Sequence, residues 1–163
     1  DRHPRADGEQ RGDQGVDRVT PEAPDPPAEF MSCYLRASGK FDPDELTAES
    51  RLPWHIMCRT GDAIPSGGVH ESALIQMQIS GADYGEMQRQ FDEAEAFLYK
   101  HGRHLRDFCR KPCIDEVYVD FGLCFPEDCV AFSRTVPLKL IRIAAYCNAA
   151  IELSFYPVRR EAK

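Results

Sequence analysis

From Cys33 to Gly39 apolar and polar side chains alternate. Cys33, Leu35 and Ala37 take one face and Tyr34, Arg36 and Ser38 the other, the period of a strand buried on one side. Ser38-Gly39-Lys40 signals a turn. Asp42 then stands where a helix needs an N-cap, and Pro43 falls at N1, where the missing N–H has no helical partner anyway. Glu45 falls at N3, placed to close a capping box. The pattern predicts a strand, a turn and a short helix from Pro43 to about Ser50, anchored by Leu46. The connection from Leu52 to Glu71 is long for a compact domain. Trp54 to Arg59 reads as a short strand inside it. It pairs back on Ala73 to Ser80 across the Gly61-Asp62 and Ser66-Gly67-Gly68 turns. In that second segment Ala73, Ile75, Met77 and Ile79 alternate with Leu74, Gln76 and Gln78.

A helical period follows. Tyr84, Met87, Phe91, Ala94, Leu98, His101, Leu105 and Phe108 recur at spacings of three and four, which makes one apolar stripe. Phe91 and Leu98 are its core positions, and Asp92, Glu93 and Glu95 read as the wet face. Gly102 lies within the stripe, and glycine costs about 1 kcal/mol against alanine in a helix interior. The helix is therefore expected to end or kink near His101-Gly102, with a further turn or two to Cys109 and a stop at Lys111-Pro112. Ile114 to Phe125 reads as a strand with Val117, Val119, Phe121 and Leu123 inward, and with Asp115, Glu116 and Asp120 keeping part of it wet. After a loop at Phe125-Pro126-Glu127-Asp128, Val130 to Phe132 forms a minor strand. A third helix is predicted from about Pro137 to Cys147, burying Leu138, Ile141 and Ala145, with Asn148 in the left-handed C-cap conformation. Ala150 to Tyr156 is the last strand, with Ile151, Leu153 and Phe155 inward and Pro157 ending it.

The order is β-α-(β)-β-α-β-α-β. Short strands with one polar face predict an α/β (α+β) two-layer sandwich, in which three helices cover one side of an antiparallel or mixed sheet of four to five strands. A ferredoxin-like connection fits that order. Residues 1–30 hold little to bury, since Val16 and Val19 are the large apolar residues before Phe30. They are expected to form a disordered tail or a non-native leader, from upstream reading frame or sequence added for expression. Residues 31–158 then make a single domain, and residues 159–163 a frayed terminus.

The chain has 163 residues, is 42% hydrophobic and 29% charged, and carries a formal net charge of −7. That charge argues against nucleic acid, which asks for a basic face. No apolar run approaches the roughly 18–20 residues that cross a bilayer. The first 30 residues also lack the apolar region of a signal peptide. A cytoplasmic protein with reduced thiols is the expectation, and seven cysteines without a regular frame agree with it.

Leu35-Arg36-Ala37-Ser38-Gly39, Phe41-Asp42-Pro43-Asp44-Glu45-Leu46-Thr47, the turn Arg59-Thr60-Gly61-Asp62 and the closing Ile151-Glu152-Leu153-Ser154-Phe155-Tyr156 together carry a likeness. From about Ser32 to Pro157 the chain resembles a bacterial family described only as a domain of unknown function, number 4279 in that series. The family places an aromatic shortly before the Gly-Asp turn, where this chain has Met57-Cys58, with Trp54 several residues earlier. The resemblance implies a small intracellular bacterial α/β domain and an immunity or partner-binding role, with no catalytic residues to carry over.

Each chemistry-bearing grouping also has a plainer role. Cys109-x3-Cys113 and Cys124-x4-Cys129 are looser than the C-x2-C knuckles of zinc sites, so they read better as small buried hydrophobes, with no metal and no cofactor. Cys58 with His55 and Asp62 has the residue types of a nucleophile, base and orienter, but all three share one loop. His101 and His104 stand one turn apart. The plainer reading puts His101 at the edge of the core and His104 in solvent. Gly67-Gly68 lacks the Lys-Ser/Thr of a phosphate loop. A protein-binding module of immunity or antitoxin type ranks first. A small-ligand sensor comes next, then an enzyme whose site is assembled from distant segments. The expected interaction surface is the long connection, with Trp54, His55, Arg59, Asp62 and His70 as its binding residues, because Trp and Arg are enriched at hot spots. The competing reading makes Trp54 a lid on the core and pairs Arg59 with Asp62.

Overall fold

The structure, a computed structural model, describes residues 32–126 and 133–158, with the side chains of residues 126, 157 and 158 left aside. The expected tail over residues 1–30, Cys129, the minor strand Val130 to Phe132 and the terminus Arg159 to Lys163 lie outside those residues. Eight elements follow in the order β1 (Cys33–Gly39), α1 (Pro43–Glu49), β2 (His55–Cys58), β3 (Ala73–Gln78), α2 (Met87–Phe108), β4 (Ile114–Pro126), α3 (Leu138–Tyr146) and β5 (Ala150–Val158). The strands make one mixed sheet, β2-β3-β1-β4-β5. Antiparallel pairing joins β2 to β3, β3 to β1 and β1 to β4, while β5 lies parallel to β4. The first six elements thus form a split βαβ arrangement with strand order 2-3-1-4, the ferredoxin-like connection, and α3–β5 adds a parallel crossover to it.

Alternation places β1 at the centre. Cys33, Leu35 and Ala37 are fully buried under the helices. Gly39 closes the strand at a register shift against β4, where a Cβ would collide with the Cys113 carbonyl oxygen. Asp42 caps α1, its Oδ1 accepting from the Asp44 and Glu45 amides at 2.9 and 3.4 Å. Among the described residues no return bond from Glu45 completes the box. The expected pairing of the Trp54 segment with β3 is present, with His55 opposite Gln76 and Ile56 opposite Ile75. The rest of the long connection is a small arm, held by Gly61 N–H to the His70 carbonyl (2.8 Å), His70 N–H to the Asp62 carbonyl (2.9 Å) and an Ala63–Val69 bridge.

α2 corrects two expectations. It runs unbroken through Gly102, which is buried where α3 crosses, so that Tyr146 and Cys147 stand 3.5–3.6 Å from where its Cβ would be. Packing of the continuous helix in the core outweighs the propensity cost that argued for a kink. Tyr84 is not on the helical stripe; it sits in the turn before Met87. Phe91, Ala94, Leu98, Leu105 and Phe108 are buried as their period required, and the Phe91 ring meets Phe121 edge-on at 4.8 Å.

α3 has the opposite phase to the one its spacing predicted. Leu140, Ile143, Ala144 and Cys147 enter the core, whereas Leu138 and Ile141 are 58% and 44% exposed and Ala145 faces out. The helix is apolar over most of its circumference, so two stripes fit the period, and only the neighbours decide between them. Its end is as expected. Asn148 has φ 60, and Asn148 N–H to the Ala145 carbonyl with Ala149 N–H to the Ala144 carbonyl, both 3.0 Å, makes a Schellman cap. β5 continues through Pro157 to Val158 rather than stopping before it. An edge strand accepts proline because one side of it needs no ladder donor. Phe155 is 48% exposed despite its inward parity.

Candidate functional site

All three helices pack into one core on one face of the sheet. The other face is left to the even-numbered positions of β1, β3, β4 and β5, and cross-strand register arranges them in rows. His55, Gln76, Arg36, Tyr118 and Ala150 form one row. Gln78, Tyr34, Asp120 and Glu152 form the next.

Asp120 is the anchor of this face. It was expected to keep β4 wet, and instead it is 4% exposed. Its Oδ2 lies 2.9 Å from Arg36 Nη1, and its Oδ1 accepts from the Ser154 hydroxyl at 2.7 Å. A carboxylate this enclosed survives only with charged and hydroxyl partners. Arg36 is thereby fixed while staying partly open, its side chain 28% exposed and its guanidinium 5.6 Å from the Tyr34 ring centre. Its Nε has no hydrogen-bond partner among the described residues.

A ring of phenols adjoins the pair. Tyr84 rests against Gly122, where a Cβ would come within 2.6 Å of the ring, and meets Tyr156 edge-on at 5.2 Å. The turn that carries Tyr84 is tied down by buried Gln90, whose Nε2 donates to the Asp83 and Gly122 carbonyls at 2.8 and 2.9 Å. Glu93, expected on the wet face, helps from the other side. It accepts from Ser80 Oγ (2.7 Å), Gly81 N (2.8 Å) and Arg89 Nε (2.7 Å), and these bonds, Ser80 first, hold its carboxyl down at about 2. Burial raises the Tyr34 and Tyr84 phenols, with Tyr156 and Asp120 adding to it, so both are neutral donors at pH 7. At the Ala150 end the face opens into a depression of about 580 Å³, which Asp115, Glu116, Tyr118, Asn148 and Glu152 help to line.

The expected binding residues are divided. Trp54 is 8% exposed, stacked on Phe108 at 5.0 Å, with its indole N–H donating to Ser50 Oγ at 3.0 Å. It closes the core. His55 is exposed and belongs to the open face through its pairing with Gln76. Arg59, Asp62 and His70 meet at the base of the arm. The guanidinium forks onto Asp44 of α1 (2.9–3.1 Å) instead of pairing with Asp62, which accepts the Arg59 backbone N–H at 2.7 Å.

The other groupings do not assemble. Cys58 is buried and donates toward the Ser72 carbonyl at 3.8 Å, while His55 is on the open face. Burial pushes the Cys109 thiol up to about 12 and the Cys147 thiol to about 11. Among the described residues no three His, Cys, Asp or Glu side chains are placed to hold a metal ion. His101 stacks on Phe97 at 4.6 Å and is lowered by burial, then by Lys100 and His104. His104 is half-buried rather than in solvent, and its Nε2 has no hydrogen-bond partner among the described residues. No helix among the described residues is long and apolar enough to cross a membrane. Compared with family models, curated proteins and solved structures, the chain matches none of them.

Proposed function

We propose that the protein is a binding module, cytoplasmic and of the immunity or antitoxin kind, that holds a partner protein on the open face of its sheet. The observation that carries this reading is the row His55–Gln76–Arg36–Tyr118, set on a rigid sheet, with Arg36 held by Asp120 of the neighbouring row. Tyrosine and arginine are the side chains that protein interfaces favour, and the polar row offers donors and acceptors between them. Position on strands rather than loops keeps the ordering cost of binding low. The partner is basic. The chain carries −7 overall, and the depression beside Tyr118 presents the carboxylates of Asp115, Glu116 and Glu152 to a lysine or arginine.

A photoreactive amino acid in place of Tyr118 tests the reading in extract of the native cell. One basic protein should be captured at position 118 and not at Asp92, which is exposed on the helical side. Capture should also be lost on adding Gln76→Ala and Glu152→Ala. Equal labelling at both positions, or a captured small molecule, would count against it.

A further inference from the structure

The outer side of the helix layer is a second surface, turned away from the open sheet face. α3 meets α2 at Gly102, and the Arg106 guanidinium of α2 lies 4.9 Å from the centre of the Tyr146 ring of α3, so the outer sides of the two helices join. Arg103, Arg106 and Arg110 come to this surface from the end of α2 and the turn after it, and Lys139 and Arg142 from α3. Among the described residues none of the five is in an ion pair. From Tyr99 to Arg110 the one carboxylate is Asp107, and α3 has none; the other acids of α2 come before Tyr99. Tyr99, Leu138, Ile141 and Tyr146 stand among these cations, each 44–59% exposed. The helix dipole accounts for cations in the last turn of α2, where it favours positive charge. It does not account for Arg142, in mid-helix, and it opposes Lys139, in the first turn of α3.

We propose that this helical surface docks on an anionic phospholipid bilayer. Charge complementarity and the mixture of side chains select that occupant. The five cations meet lipid phosphates and carboxylates, each contributing about a fivefold gain in partition near such a surface. Tyr99 and Tyr146 suit the headgroup level, where rings with a polar end collect. Leu138 and Ile141 enter the boundary of the acyl chains, an aliphatic contact for which a nucleic-acid backbone has no counterpart. The net charge of −7 does not oppose docking. The carboxylates of Asp115, Glu116 and Glu152 lie beside Tyr118 on the sheet side, and a sheet with a helix layer is about 20 Å deep. That is more than two screening lengths of about 8 Å at physiological salt, so the bilayer meets the local cations first. Docked in this way the molecule turns its open sheet face to water. Bilayer and partner protein do not compete, and the docking holds whether or not that face binds a protein.

Co-sedimentation of the full chain with vesicles tests this, using phosphatidylcholine alone and phosphatidylcholine mixed with phosphatidylserine. The chain should partition onto the mixed vesicles and not onto phosphatidylcholine alone, and should come off as salt is raised. Arg103→Ala/Arg142→Ala should weaken partition about 25-fold, roughly fivefold for each cation removed. Tyr99→Gln/Leu138→Gln leaves the charge unchanged and should still weaken it about tenfold. All four positions are exposed, so far-UV circular dichroism should stay native in both variants. Gln76→Ala, on the open sheet face, should leave partition as it is. Absence of partition onto the mixed vesicles overturns the proposal, and so does partition that either double variant leaves intact. Partition lost in Gln76→Ala overturns it by putting the bilayer on the other face. A single-stranded RNA oligonucleotide bound in place of the vesicles overturns it as well, by assigning the cations to nucleic acid.

Discussion

Removing Arg36 should destabilise the protein more than removing Asp120, although the two make one ion pair. The reason is unequal access to water: the Asp120 side chain is 5% exposed and that of Arg36 28%. Arg36→Ala leaves a carboxylate nearly enclosed, with the Ser154 hydroxyl at 2.7 Å as its remaining side-chain partner. Asp120→Ala leaves a guanidinium that can turn toward solvent. Breaking a buried pair costs about 3–5 kcal/mol when the charge left behind stays enclosed. Arg36→Ala should fall at the lower end, about 3 kcal/mol. Asp120→Ala should cost about 1–2 kcal/mol, the scale of one charged hydrogen bond whose other partner is rehydrated. The double variant Arg36→Met/Asp120→Leu strands no charge and should cost about 1 kcal/mol or less. Urea unfolding, read as a double-mutant cycle, measures all of this. Asp120→Ala costing as much as Arg36→Ala would refute the reasoning, and so would a double variant that costs the sum of the two.

Trp54→Ala should cost about 3–5 kcal/mol in thermal or urea unfolding, since the ring stacks on Phe108 within the core; a loss under about 1 kcal/mol would return Trp54 to the surface. Glu93→Gln should destabilise at neutral pH. Because the folded carboxyl titrates near 2 against an ordinary value of 4.5, this contribution is present above about pH 4.5 and is lost as pH falls toward 2, so the wild-type and variant stabilities should converge there. Gly102→Ala should raise stability by about 0.5–1 kcal/mol, because the helix is continuous and the added methyl meets Tyr146 and Cys147 at ordinary contact distance; a loss of stability would mean that α2 bends there after all. Toward a thiol reagent at pH 8, Cys109 and Cys147 should react only on unfolding, their thiols being pushed well above that pH, whereas half-exposed Cys113 should react in the native state.

The architecture was legible where period and burial coincide. Alternation along Cys33–Gly39 and Ile114–Leu123 determined which residues face the helices, and the Asp42-Pro43 cap and Asn148 marked helix ends that the structure keeps. The phase of α3 was hidden because Leu138, Leu140, Ile141, Ile143, Ala144 and Ala145 leave no clear polar side to orient it. Gly102 misled because a helix-propensity penalty is about 1 kcal/mol, less than burial of the apolar stripe on either side of it returns. The open face was the harder part. Arg36, Asp120 and Ser154 lie on three strands and are 84 residues apart at the first gap and 34 at the second, so no local spacing joins them. The signal available was parity: Arg36 and Asp120 sit at outward positions of two strands already identified, and only the pairing register shows that these positions are neighbours. His55 reaches the open face on the short strand that the alternation already marked, whereas Trp54 beside it closes the core by stacking on Phe108, a contact between distant segments that no local pattern shows.

The claim that the open sheet face holds the partner is tested most directly by amide and side-chain NMR shifts of the labelled protein on adding the basic protein captured through position 118. Perturbations should concentrate at His55, Gln76, Gln78, Tyr118 and Glu152 and spare the outer positions of α2, Asp92 and Glu95 among them. Perturbations centred on α2, or on the arm from Arg59 to His70 with the sheet face silent, would contradict it.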